Sequence, residues 1–138
     1  MSVKLPMASM SFLWHVRFLW AAPATVIGLA LVGVGLLTGA SKPDAVDGAI
    51  EQSGGLLARI LRLMGSACIT FGYVTLGRSP QDLNYYRRHE RVHTRQYGTW
   101  GVFFFPAYLF ASLIALIQGR SAWSGNWFEQ EAIRESGV

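Results

Sequence analysis

The sequence predicts a mainly α-helical, membrane-associated protein. Its expected elements are an N-terminal transmembrane helix, a short strand or hairpin, an H-E-x-x-H helix in an antiparallel helical hairpin, and a short C-terminal helix. Three observations carry this expectation. Apolar residues make up 51% of the 138-residue chain and charged residues 14%, whereas an average soluble domain carries about 25% charged residues. Residues 19–38 (LWAAPATVIGLALVGVGLLT) are almost continuously apolar, and about 20 such residues span a bilayer as a helix. A second apolar run, residues 102–118 (VFFFPAYLFASLIALIQ), lies at the lower limit for crossing.

The first run is flanked by Trp14, Arg17 and Trp20, as at a membrane interface, and Pro23 falls in its first turns. Gly28, Ala30, Gly33 and Gly35 would admit the close approach of another helix. An uncleaved anchor is preferred over a signal peptide ending at Thr38-Gly39-Ala40, because the run exceeds the usual signal core. Residues 1–40 are thus the N-terminal segment and anchor. Residues 41–55, with Asp44, Asp47, Gly48, Ser53, Gly54 and Gly55, are expected to be a linker. Residues 56–138 form the head.

Within the head, residues 56–64 (LLARILRLM) have the spacing of an amphipathic helix at a membrane surface. Residues 67–77 (ACITFGYVTLG) are β-branched and aromatic with glycines at 72 and 77, which predicts a strand or a tight hairpin. Cys68, the single cysteine, excludes an internal disulfide and a thiolate metal cluster and reads as a buried thiol. Ser79-Pro80-Gln81-Asp82 is a helix start, with serine at the cap, proline at the first position and an acid at the third. The helix should run from Pro80 to Tyr97 and stop at Gly98. Its polar face would hold Asp82, Tyr85, Tyr86, His89, His93 and Gln96. Arg87, Arg91 and Arg95 lie opposite, as a solvated or headgroup-facing stripe. Asn126 can cap a last helix over residues 127–135.

The net charge of +4 comes from ten Arg and two Lys against eight acids. It suits anionic lipid, and no nucleic-acid motif accompanies it. Two of the three histidines fall in His89-Glu90-Arg91-Val92-His93. Histidines four apart on a helix converge on one ion, and a glutamate beside the first can act as general base on a water. Zinc with an open position takes three protein ligands. His15 precedes the anchor, which leaves Glu129, Glu131 and Glu135 as candidates for the third.

The H-E-x-x-H-x-x-Q pattern of residues 89–96, followed by N-x-F-E-x-E-A at residues 126–132, resembles the gluzincin metallopeptidases. Among these the chain is most similar to HtpX-like and CAAX-protease-like membrane peptidases. It also resembles small bacterial membrane proteins that carry both patterns. The likeness covers residues 66–134. It implies zinc bound by His89, His93 and Glu129, with Glu90 as catalytic base and Glu131 as the alternative ligand. It also implies a peptide or protein substrate laid along the strand at 67–77, and a place in the bacterial inner membrane. Ile133 stands where those peptidases usually have Asp. Gln96, Asp82 or a backbone carbonyl would then have to hold the ligand histidines, and Tyr85, Tyr86 and Tyr97 are candidates to stabilise an oxyanion. Glu129 reaches the histidines if helices 80–97 and 102–118 form an antiparallel hairpin. A homo-oligomer or a membrane partner would help close so small a site. The alternative is a non-enzymatic membrane protein, an assembly or scaffold subunit, whose motif holds a structural metal or none.

Overall fold

The computed structural model describes residues 7–138, with side chains from residue 12 onward. The chain order is α1 (Met7–Leu37), β1 (Asp44–Val46), β2 (Ala49–Ser53), α2 (Gly55–Met64), β3 (Cys68–Phe71), β4 (Val74–Gly77), α3 (Pro80–Trp100), a 3-10 turn (Gly101–Phe103), α4 (Phe104–Ile117) and α5 (Trp127–Ser136). The described residues are mainly helical around a four-stranded mixed sheet of order β1-β2-β4-β3. Strands β1 and β3 pair antiparallel with their neighbours, whereas β2 and β4 run parallel.

The sheet corrects the expectation of a linker at residues 41–55. Asp47 and Gly48 both take positive φ, 47° and 78°, which closes a two-residue hairpin of the type an Asp-Gly pair favours. Strand β2 then joins β4 with Glu51 opposite Thr75. The segment joins α1 to the rest of the fold within one packed unit. The expected hairpin at residues 67–77 is β3–β4, turning at Gly72-Tyr73.

Helix α1 is longer than the apolar run alone predicted: it has 31 residues, and Pro23 lies inside it. Its buried face is Ala21, Thr25, Gly28, Val32 and Gly35, a spacing of three and four that keeps one stripe inward. That stripe meets the sheet. A Cβ on Gly28 would come within 2.6 Å of the Val74 side chain, and one on Gly35 within 2.2 Å of Gln52 Oε1. These small residues therefore seat the helix on β4 and β2, where Val32 joins Val74 and Leu76 in one core cluster. They do not serve a helix–helix contact, and Ala30 is exposed. The outward side of α1 remains apolar, including Val26, Ile27, Leu29 and Leu36.

Helix α3 covers the opposite face of the sheet, where Glu51, Thr70 and Thr75 project. Glu51 accepts hydrogen bonds from Arg87 (3.0 Å) and Arg91 (2.6 Å), and Arg95 pairs with Glu135 of α5. Arg87 and Arg91 thus dock α3 onto the sheet rather than facing solvent or headgroups, while Arg95 stays exposed and pairs with α5 at the surface. Ser79 caps α3 by accepting from the Asp82 N–H. The helix does not stop at Gly98, which is buried where a Cβ would lie 3.3 Å from Arg17 of α1. It ends at Gly101, where φ is 58° and a Cβ would come within 2.3 Å of Trp20. Only glycine accommodates both that φ and that contact.

The turn at Gly101 folds α4 back, so that the rings of His93 and Tyr108 lie 6.4 Å apart, centroid to centroid. Residues Phe12–Leu37 and Pro80–Ile117 are each long and apolar enough to cross a membrane. The second range contains the reversal at Gly101, and α4 alone has 14 residues, about 21 Å of helix. Ala21, Tyr97, Phe104 and Phe128 form a second core cluster that joins α1, α3, α4 and α5.

Candidate metal centre

His89 and His93 are both buried on α3, a turn apart, with their Nε2 atoms 3.2 Å from each other. Helix α5 brings Glu129 against them. Its Oε2 lies 3.1 Å from His89 Nε2 and its Oε1 3.2 Å from His93 Nε2. Glu129 is 1% exposed, a position an acid takes only when it is paired or bound to a cation.

Local chemistry places this glutamate. Asn126 caps α5 by accepting from the Phe128 N–H, and its amide donates to Tyr108 O (3.0 Å) and Ser112 Oγ (2.8 Å). The start of α5 is thereby tied to α4, and Glu129 follows in the first turn. Tyr108 reaches it from α4, its phenol donating to Glu129 Oε1 at 2.6 Å. Burial pushes the Glu129 carboxyl upward. With protons rather than a metal ion at the two Nε2 atoms, the hydrogen bonds they donate, the charge of His93 and the Tyr108 phenol outweigh it and hold the group at about 2.

The hydrogen-bond network fixes which ring nitrogens carry protons. Gln96 Nε2 faces two acceptors, Phe128 O (3.1 Å) and Glu131 Oε2 (2.7 Å), so it is the amide nitrogen. Gln96 Oε1 then accepts from His93 Nδ1 at 2.8 Å. His89 Nδ1 lies 2.9 Å from the main-chain oxygen of Val138, which can only accept. Both rings donate from Nδ1 and bring their Nε2 atoms together against a carboxylate, where a proton or a metal ion can sit. Three acceptors at this spacing are stable only around a cation, a proton or a metal ion. Tetrahedral donors at about 2.0–2.1 Å from an ion sit about 3.3 Å apart, close to the separations seen here. His89, His93 and Glu129 can therefore hold a metal ion.

Glu90, also buried, lies beside the group. Its Oε2 accepts from Thr70 Oγ1 of β3 at 2.6 Å. Thr70 Oγ1 lies 3.0 Å from Thr75 Oγ1, which accepts from Arg91 at 3.4 Å. A chain of donors from Arg91 through both threonines thus ends on the Glu90 carboxylate. A cleft of about 320 Å³ beside β3 has Glu90, His93 and Glu129 in its lining.

The other residues expected at the site are placed as follows. Gln96 holds His93. Asp82 does not reach the histidines: it pairs with Arg78 at 3.1 Å and accepts from the Ser79 hydroxyl. The main-chain oxygen of Val138 takes the role foreseen for Asp82 or a backbone carbonyl at His89. Glu131 binds Gln96, and Glu135 binds Arg95. His15 is exposed on α1, its ring against Trp14. Tyr85 is exposed, while Tyr86 packs its ring edge toward His89, 6.4 Å between centroids. Tyr97 is buried against Phe104. Tyr108 and Thr70 were not expected at the site. A signal for Tyr108 existed: Tyr108 and Ser112 are hydroxyls four apart in an otherwise apolar helix.

Gln96→Leu removes the acceptor that orients His93 and leaves the ring free to turn. Metal affinity should fall about 10- to 100-fold, read by competition with a fluorescent chelator. Unchanged affinity would show that Gln96 only joins α3 to α5.

Together these features define a mainly helical protein with a small mixed sheet, two helical segments apolar enough for a membrane, and a buried His-His-Glu group able to hold a metal ion. No family model, curated protein or solved structure matches the chain.

Proposed function

We propose that the chain is a membrane-bound, zinc-dependent peptidase, of the gluzincin-like kind its motifs resemble. The observation that carries this reading is the convergence of two Nε2 atoms and the Glu129 carboxylate beside the buried Glu90 on a sheet edge. His89, His93 and Glu129 would hold the zinc, and imidazole and carboxylate donors suit that ion. When bound, zinc supplies Lewis-acid polarisation of a carbonyl and eases the deprotonation of a water.

The chain's own groups do the rest. Glu90 takes the proton of the attacking water and returns it to the leaving amine, its carboxylate held in place by Thr70. Tyr108 steadies Glu129. Arg78 N–H donates to Ala67 O, so bonded positions on β3 fall at Ala67, Ile69 and Phe71. The main-chain groups of Cys68 and Thr70 then face the cleft. The Cys68 carbonyl accepts from Ser66 Oγ, and Thr70 presents N–H and C=O to an extended substrate that adds as a further strand. The apolar outer sides of α1, α2 and α4 face lipid. An open sheet edge is not tolerated against hydrocarbon, so the β3 edge opens to the water- or substrate-filled cleft.

The test is hydrolysis of an unfolded polypeptide by purified protein in lipid nanodiscs. Cleavage should stop when a strong zinc chelator is added and return with one equivalent of zinc. Cleavage that persists through chelation would contradict zinc dependence. If metal-loaded protein leaves a broad peptide mixture intact, the hydrolase reading fails.

A further inference from the structure

Two cavities meet at the metal-ligand group and differ in chemistry. The first, about 320 Å³, continues past Thr70 and Phe71 between Phe104, Phe105, Tyr108 and Leu109. The second, about 220 Å³, opens only at the Ser66 end of β3, among Ser66, Arg78, Tyr86 and His89, where it overlaps the first. Both include Ser66, Cys68, Glu90 and Trp123, so they are two halves of one cleft along the strand. Glu90 stands at the junction, His93 and Glu129 border the first half, and His89 borders the second.

We infer that the cleft selects a peptide with apolar residues on one side of the scissile bond and polar residues on the other. This rests on the peptidase reading above and deepens it. The walls of the first half are aromatic and aliphatic, and an aliphatic side chain placed there leaves water at no polar cost. The second half is lined by Tyr86, His89 and Arg78, whose guanidinium is paired with Asp82. An unbroken apolar peptide would leave these groups facing hydrocarbon. Strand direction sets the order. A peptide antiparallel to β3, the more common strand pairing, enters over Phe71 and leaves over Ser66. Its apolar block is therefore N-terminal to the cleaved bond. The substrate class is an extended segment at the boundary between an apolar stretch and the polar sequence after it, as at the end of a membrane-spanning segment.

The experiment measures binding apart from hydrolysis. Zinc-loaded Glu90→Gln protein in nanodiscs is titrated with three labelled peptides of equal length: apolar-then-polar, polar-then-apolar, and uniformly polar. The first should bind about tenfold or more tighter than the others. Leu109→Glu, whose side chain is exposed on the cleft wall, should erase that preference without changing zinc content. Equal affinity for all three overturns the two-sided cleft. A win for the reversed order overturns the antiparallel seat. Selective binding with no cleavage by the unsubstituted protein leaves the cleft standing and overturns only the peptidase reading.

Discussion

Glu90→Gln should lower the rate of peptide hydrolysis about 10²- to 10⁴-fold, the range spanned by a single general base, while leaving the bound metal in place. The substitution is nearly isosteric. The glutamine oxygen still accepts from Thr70, which lies 2.6 Å from the carboxylate it replaces, so the buried position is not orphaned. Only the capacity to take a proton is lost. Initial rates on a fluorogenic peptide, with metal content measured on the same samples, separate this from a folding defect. A rate within tenfold of the unsubstituted protein would remove Glu90 as the base. A parallel loss of metal would show that Glu90 acts on the site's structure instead.

The second large effect is on stability. Glu51 is buried on β2 between Arg87 and Arg91, and its ion pairs attach α3 to the sheet. Burial pushes its carboxyl upward, but the hydrogen bonds and charges of the two arginines outweigh burial, so the group titrates below its ordinary 4.5. Glu51→Ala removes the shared partner and leaves two guanidinium groups facing a buried wall. Breaking a fully buried pair costs about 3–5 kcal/mol. Because both arginines are partly exposed, about 2–3 kcal/mol is expected here. Thermal unfolding in detergent should shift down by roughly 5–10 °C.

The pH dependence has a definite sign. A carboxylate with a depressed folded pKa stabilises fully above its unfolded value, near 4.5. That contribution fades as pH falls toward and through the lower folded value. The gap between unsubstituted and Glu51→Ala proteins should therefore be constant at neutral pH and close in acid. A gap that widens in acid would contradict the ion-pair account.

The parts of this molecule legible in its sequence are those written locally. The cap at Ser79, the His89–His93 spacing and the cap at Asn126 each depend on residues within a few positions of one another. The missed features depend on distant partners or on one short signal. Arg87 and Arg91 look like a solvated stripe until Glu51, at sequence separations of 36 and 40, is known to lie beneath them. The Asp47-Gly48 hairpin was readable as a turn. Its strand β2 gains a role only by pairing with β4 across an intervening helix, and no periodicity reports that. Gly98 shows the same limit. A glycine near a helix end reads as a stop, whereas here it admits Arg17 of α1. Tyr108 was hidden inside a hydrophobic run, where its hydroxyl gave the weaker signal.

The central claim is that His89, His93 and Glu129 form one metal site, and metal stoichiometry tests it most directly. Protein purified without chelator and dialysed against metal-free buffer should retain about one zinc per chain by elemental analysis. His93→Ala and Glu129→Ala should each retain less than about a tenth as much, because either change leaves two protein ligands where zinc normally takes three or four. Zinc well below half an equivalent in the unsubstituted protein, and no lower in either variant, would contradict the account.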